Sequence, residues 1–283
     1  MARTTAASGY RKVLGSIAKW TVLASFLAFT LLPLIWLLVS SFKTNLELQV
    51  RPFALPETMQ FANYVNAIRI SGLGQLFVNS VIASVLSTAL SMLVTSMAAF
   101  ALAREVFRLR QTILNVLVAG VLVPIIAFMA PYLRLTYALN IYDTRLALIV
   151  TYAAINIPVA TFLMYGFMKT IPNELEEAAV IDGAGFFQRF WRVVFPLSIT
   201  GLVTAGTFVF LFSWNEFIYA LLLTSRPAVR TLQLGIRFFT SQFFTDYTSM
   251  FAAIVLTMIP SVAVYVFLHE RIIKGLTSGA LKG

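Results

Sequence analysis

Reactive side chains are scarce in this chain, and their positions limit the chemistry open to it. Its 283 residues include no cysteine and one histidine. Disulfides, thiolate metal sites and cysteine nucleophiles are therefore excluded, and a histidine-cluster metal site is impossible. Ser–His chemistry would have to use His269, which sits beside Glu270 near the end of an apolar stretch and reads as an interfacial ending. Of the 11 acids, four crowd one short segment: Glu174, Glu176, Glu177 and Asp182. Glu216 alone falls inside an apolar stretch. A carboxylate in a membrane is costly, so it is either functional or paired. The spacing G-x-x-x-x-G-K-S/T occurs nowhere, and Gly275 to Lys282 misses it, so the chain is not expected to bind a nucleotide. What remains is binding and positioning chemistry. Carboxylates can meet a partner's cations, and the rings of Trp214, Tyr219, Phe208 and Phe212 can stack on a sugar or simply pack between helices.

The elements that must position these groups are membrane helices. Hydrophobic residues make up 59% of the chain and charged ones 11%, against about 25% charged in ordinary soluble domains. Mean hydropathy is +0.86. An integral membrane protein is the expected class, and a freely soluble enzyme or a disordered tail is excluded. Charges cut the chain into apolar stretches at 20–42, 70–103, 111–133, 146–168, 193–215 and 247–268, the fifth continuing past Glu216 to Leu223. Each is long enough to cross hydrocarbon as a helix, which takes about 20 residues. The sequence thus predicts an all-α membrane protein with six spans. The layout is an N-tail at 1–19, a membrane domain at 20–268 with a long loop at 169–198, and a C-tail at 269–283. Arg11, Lys12 and Lys19 resemble the start of a signal peptide, but the stretch from Trp20 to Phe42 is too long for one and no A-x-A site follows.

Six spans put both termini on one side. With that side cytoplasmic, 13 basic residues lie inside and 8 outside, the direction of the positive-inside rule. The loop holding Arg104, Arg108 and Arg110 is the firmest anchor. The net charge of +10 therefore reads as topology signals and contacts to anionic lipid, and not as nucleic-acid binding, for no long basic run exists. Ser84, Ser87, Thr88, Ser91, Thr95, Ala98 and Ala99 fall at three- and four-residue steps along the second span, a small-residue face for close helix packing. Pro33, Pro124, Pro158 and Pro260 lie within spans, and each invites a kink.

The long inner loop carries the functional signal. Asn173 after Pro172 can cap a helix whose first turns hold Glu174, Glu176 and Glu177, acids that complement the helix dipole. The helix should stop near Gly183, which accepts a left-handed cap. A second amphipathic piece follows from Gly185, with Phe186, Phe187, Phe190 and Trp191 beside Arg189 and Arg192. Two readings stand: a helix lying on lipid, or a docking knob for a soluble partner. Four acids suit an anionic leaflet poorly, which favours the knob.

Glu177-Ala178-Ala179, three residues, Gly183, nine residues, and Val193-x-Phe195-Pro196 resemble the E-A-A-x3-G-x9-I-x-L-P signature of ABC-importer permeases. Val193 and Phe195 stand for the usual Ile and Leu. Asp182-Gly183-Ala184, Trp214-Asn215-Glu216-Phe217 and the tail ending Gly-Leu-Thr-Ser-Gly-Ala-Leu-Lys-Gly resemble the smaller permease of maltose-type sugar importers. The resemblance covers essentially the whole chain.

It implies the type I importer fold and a non-catalytic subunit of a bacterial or archaeal cytoplasmic membrane. Its partners would be a second, non-identical permease, two ATP-binding subunits that carry ATP and Mg, and an extracytoplasmic sugar-binding protein. The helix over 174–184 would be the coupling helix, with Glu174, Glu176, Glu177, Ala178, Ala179, Asp182, Gly183 and Ala184 at the ATPase. Lys274, Gly275, Leu276 and Gly279 would lie along the ATPase dimer, and Arg226, Arg230 and Arg237 would touch the binding protein. Trp214, Asn215, Glu216 and Tyr219 are the candidates for the translocation cavity or gate, though Glu216 could equally snorkel or pair with a neighbouring helix. Oligosaccharide, disaccharide, sugar-alcohol and glycerol-phosphate uptake are all open. An ATP-independent secondary carrier is the other class, disfavoured because repeats and discontinuous helices are not evident in the sequence.

Overall fold

In the computed structural model, backbone is described for residues 2–239 and 245–280, and side chains for 15–69, 72–236, 239 and 245–270. The described chain is built of helices: α1 (Ala2–Ser40), α2 (Asn45–Val50), α3 (Ala62–Ser71), α4 (Leu73–Arg104), α5 (Arg110–Leu122), α6 (Met129–Ala138), α7 (Arg145–Met168), α8 (Glu174–Ile181), α9 (Phe186–Arg189), α10 (Phe195–Leu197), α11 (Ile199–Asn215), α12 (Ile218–Leu223), α13 (Leu232–Gly235) and α14 (Tyr247–Ala280). It divides into two compact units, Met1–Ile70 with Phe239–Leu256, and Ser71–Phe238 with Thr257–Gly283.

Four helices are long and apolar enough to cross a membrane unbroken: Gly15–Ser40, Leu73–Arg104, Arg145–Met168 and Tyr247–Glu270. Two further spans are bent pairs. Arg110–Leu122 meets Ile125–Ala138 at 101°, and Phe186–Leu197 meets Ile199–Asn215 at 78°. With each pair counted as one span the total is six, and the kink expected at Pro124 is a full break in the 111–133 span. Pro124 is the local cause: Val123, held extended at ψ 126°, ends α5, as a residue before proline prefers. Residues 193–198 likewise belong to the loop side of the second bend, not to the fifth span. There the turns at 190–194 widen to π-helix, and Ser198 turns its hydroxyl back onto the Val194 carbonyl at 2.7 Å. Pro33, Pro158 and Pro260 are carried inside continuous helices.

In the larger unit, α4 packs along α7 and α11. The expected small-residue face makes this approach possible: Ser84, Ser87, Ser91, Thr95 and Ala99 are fully buried, and Ser87 Oγ donates to Ser213 Oγ at 3.1 Å. Two apolar cores sit toward opposite ends of α4. One gathers Phe100, Met164, Met168, Phe190 and Val194; the other gathers Ala83, Leu148, Tyr152, Tyr219 and Leu223. At 1.5 Å per residue, the 32 residues of α4 make a rod of about 48 Å.

In the smaller unit, the segment after α1 folds back on itself. Lys43, 1% exposed, donates to the Arg51 and Pro52 carbonyls at 3.1 and 2.9 Å, and Trp36 Nε1 donates to the Pro52 carbonyl at 2.8 Å. Thr44 and Glu47 form a reciprocal capping box on α2.

Candidate functional site

The acidic loop folds as a two-helix knob. α8 has eight residues, too few to hold as an isolated helix, so its caps and anchors define it. Its C-terminus closes as expected from the sequence. Gly183 takes φ +80°, its N–H donates to the Val180 carbonyl and that of Ala184 to the Ala179 carbonyl, both at 2.9 Å. These are the paired bonds of a Schellman turn, with glycine at the left-handed position. The N-terminus differs. Asn173 makes no side-chain cap; its amide oxygen accepts instead from Arg104 Nη1.

The structure divides the acids of α8 into two sets. Glu174 and Glu177 are exposed, as are Ala178, Asp182 and Gly183, while Ala179 and Ala184 are half-buried. Leu175, Val180 and Ile181 are also exposed, Ile181 to 85%. Glu176 turns inward at 6% exposure and is the only buried residue of α8. Its carboxylate lies 2.7 Å from Arg104 Nε and 3.8 Å from Arg189 Nη1. Arg189 Nη2 meets Glu105 at 2.6 Å. Burial pushes the Glu176 carboxyl above the usual range, opposed by Arg104 and Arg189 and reinforced by Glu105. Glu176 is thus an internal anchor and does not share the outward face with Glu174 and Glu177. A cleft of about 460 Å³ runs beside the knob between Ala103, Glu177, Val180 and Ile181. Phe186 and Phe190 pack on Phe100, while Phe187 and Trp191 of the same apolar segment stay exposed.

Arg104 is the residue that sequence reasoning missed. Beyond the Glu176 pair, its Nη2 donates to the Met168 and Ile171 carbonyls at 2.8 and 2.6 Å. In the sequence it signals only topology.

The cavity candidates separate similarly. Trp214 is 1% exposed, donates Nε1 to the Thr257 carbonyl at 3.2 Å and packs edge-on against Phe77. It is a core residue of this chain. Glu216 caps a helix break: after α11 ends, its two carboxylate oxygens accept from the Tyr219 and Ala220 N–H groups at 2.8 and 2.9 Å. Tyr219, 1% exposed, donates its hydroxyl to the Ile125 carbonyl at 2.7 Å, so the break after Asn215 touches the break at Pro124. A depression of about 390 Å³ forms there, walled by Phe212, Asn215, Glu216 and Tyr219. Discontinuous helices are therefore present, contrary to the sequence reading.

At the opposite end of α4, the loop after α12 is pinned within the chain. Arg226 pairs with Asp143 at 2.6 Å, and the Ser225 and Arg226 N–H groups donate to the same carboxylate at 2.8 and 3.1 Å. Burial would raise Asp143, but these two N–H groups and the guanidinium outweigh it and hold its carboxyl below the usual range. Asn79, fully buried, donates to the Ala228 and Arg230 carbonyls at 2.9 Å and accepts from Arg145 Nε at 2.9 Å. Arg226 therefore spends its charge internally, though its side chain stays 65% exposed. Arg237 and the tail positions Lys274, Gly275, Leu276 and Gly279 lie outside the residues whose side chains are described; the tail backbone continues α14 to Ala280.

The chain is a bundle of membrane-length helices that carries a capped acidic knob. Residues 91–278 match the family of binding-protein-dependent transport system inner membrane components, and the chain belongs to that family. It is 37% identical over 254 residues to the sulfoquinovosyl glycerol transport system permease protein of Agrobacterium fabrum, covering 89% of each chain. It is 35% identical to the diacetylchitobiose uptake system permease protein of Streptomyces coelicolor, over 89% of this chain and 84% of that one. With the trehalose transport system permease protein of Mycobacterium tuberculosis the identity is 33%, over 93% and 97%. The fold matches a chain in the crystal structure of a bacterial ABC transporter involved in the import of the acidic polysaccharide alginate. There the TM-score is 0.81 at 22% identity, covering 91% of this chain and 96% of the other.

Proposed function

We propose that this chain is a transmembrane permease subunit of an ATP-driven, binding-protein-dependent sugar importer in a bacterial or archaeal cytoplasmic membrane, with both termini cytoplasmic. It performs no covalent chemistry and binds no nucleotide. ATP and Mg belong to two partner ATPase subunits, a second, non-identical permease completes the pore, and an extracytoplasmic binding protein delivers the sugar. The relatives named for sulfoquinovosyl glycerol, diacetylchitobiose and trehalose support a sugar cargo, and the last two support a disaccharide or small oligosaccharide. Sugar-alcohol or glycerol-phosphate uptake is the alternative within the class.

The observation that carries the reading is the two-sidedness of α8. Its inward acid is used up within the chain, while Glu174, Glu177, Leu175 and Ile181 face out on a helix ended by a rigid glycine turn. An exposed surface that mixes apolar anchors with unpaired acids suits a basic groove on a soluble partner. ATP closes the ATPase dimer, α8 is carried along, and the bundle rocks between inward- and outward-facing states. Arg226 and Arg230 contribute to the outer docking face through the shape of the pinned loop. Asn215 and Glu216 line the depression that faces the pathway.

The test is co-purification of the tagged chain from its host in gentle detergent, followed by ATPase assays of the recovered complex. An ATPase, a second permease and a binding protein should come down together. Glu177→Ala and Gly183→Pro should leave membrane insertion intact and abolish uptake and ATPase stimulation. Recovery of the chain alone, or full stimulation in both variants, overturns the reading.

A further inference from the structure

We infer that Arg104 is a positioning residue that fixes α8 to the membrane bundle, so that motion imposed on α8 moves α4 and α7 as one body. The inference rests on the reading of α8 as the coupling helix and adds the link by which the lever grips the load. Apolar burial does not provide that grip: no apolar side chain of α8 is buried, and its large ones point outward. One guanidinium does. From the last residue of α4 it reaches the Glu176 carboxylate, the Asn173 amide, and the Met168 and Ile171 carbonyls at the end of α7. A planar fork with five donors can meet acceptors on several sides, whereas a lysine offers only a point charge. The Met168 carbonyl, the last of α7, also carries the negative pole of that helix. Arg189 closes the ring from α9, between Glu105 and Glu176. The ring meets α8 at Glu176, about 200° round the helix from Glu174, while Glu177 lines the same cleft as Arg104, Glu176 and Arg189. Losing the ring leaves the exposed side chains of α8 in place and should let the helix pivot.

The expected phenotype is therefore uncoupling, in contrast to the loss of docking expected for Glu177→Ala. The chain has no cysteine, so cysteines placed at Arg108 and Val180, both exposed and neither assigned to the docking face, can carry the only two nitroxide labels of the chain. The complex is purified through the tagged, labelled chain, and the 108–180 distance distribution is recorded by electron paramagnetic resonance without nucleotide and after trapping with ATP and vanadate. With Arg104 present, one narrow distribution should persist in both states. With Arg104→Gln it should broaden in both, while basal ATPase activity stays within about twofold of the parent. Arg104→Lys should fall between the two. Glu176→Gln, nearly isosteric, should broaden the distribution as well and serves if Arg104→Gln fails to accumulate.

A narrow distribution in both the Arg104→Gln and Glu176→Gln complexes overturns the inference. Loss of ATPase activity with an unchanged distribution also overturns it, since Arg104 would then act at the docking surface. Failure of the coupling reading looks different: the parent chain would bring down no ATPase, while the nucleotide-free distributions would still report whether Arg104 holds α8.

Discussion

At one end of α4, Arg104 is held in a ring of charges: Glu176, Arg189 and Glu105. At the other, 25 residues away and about 37 Å along the helix, Asn79 is held by neutral amide bonds to the Ala228 and Arg230 carbonyls and by Arg145. Both knots are buried, and both join α4 to segments distant in sequence. Amide-to-carbonyl bonds depend on direction and distance, so they fix a loop in one shape. An ion pair falls off slowly with distance and tolerates small shifts without letting go. On the proposed reading of α8 as the coupling helix and of 224–231 as an outer loop, the charged knot suits the end that would be pushed and the amide knot the end that would present a fixed loop.

The comparison can be broken first at Arg104. Arg104→Ala leaves Glu176 buried without its nearest partner and should cost about 3–5 kcal/mol, the usual loss when one member of a buried pair is removed. Denaturant unfolding in detergent measures it. Asn79→Leu removes the bonds of a fully buried amide to the Ala228 and Arg230 carbonyls, at about 0.5–1.5 kcal/mol each, and should make the 224–231 loop cleavable by protease while the α8 knob stays protected. Equal protease sensitivity of the loop and the α8 knob in this variant would contradict the division of labour.

Acidity sharpens the contrast, because the two ends shift in opposite directions. Glu176 is raised by burial. Its contribution is fully present below the ordinary glutamate range and is lost as pH rises through the higher folded value. Asp143 is lowered. Its contribution is present above the ordinary aspartate range and is lost as pH falls through the lower folded value. Between about pH 4 and pH 7, Glu176→Gln should gain stability relative to the parent, and Asp143→Asn should lose it or hold its deficit. Melting curves across that range decide it. The smallest effect is Arg226→Ala. Its side chain is 65% exposed, so stability should fall by less than about 1 kcal/mol, visible only as faster cleavage after Thr224.

Much of this architecture was legible in the sequence because its signals are local. The unbroken spans declare themselves by length, and the serine face of α4 by its spacing. Gly183 announces its turn because only a residue without a side chain enters that conformation freely. The rest depends on contacts that local patterns do not encode. Pro124 suggested a kink, but a bend of 101° also needs Tyr219 to hold the broken end at Ile125. Asn173 has the right chemistry for a cap and is diverted by an arginine 69 residues earlier. Trp214 resembles a sugar platform by type and is a core residue by packing. Glu216 left two readings open, and the deciding fact is the resumption of the helix two residues later, which turns its carboxylate onto backbone N–H groups.

The position of Arg104 also bears on how the protein is made. Glu176 follows it by 72 residues, so at 5–20 residues per second the ribosome delivers the acid roughly 4–14 s after the arginine. On the proposed topology, Arg104 would stand without Glu176 at the end of a newly made helix during that interval, available as an orientation signal. Once α8 emerges, the guanidinium meets Glu176. One side chain would then serve biogenesis first and the folded chain afterwards. A substitution there should be read against both clocks, by scoring topology in nascent chains separately from behaviour in the mature complex.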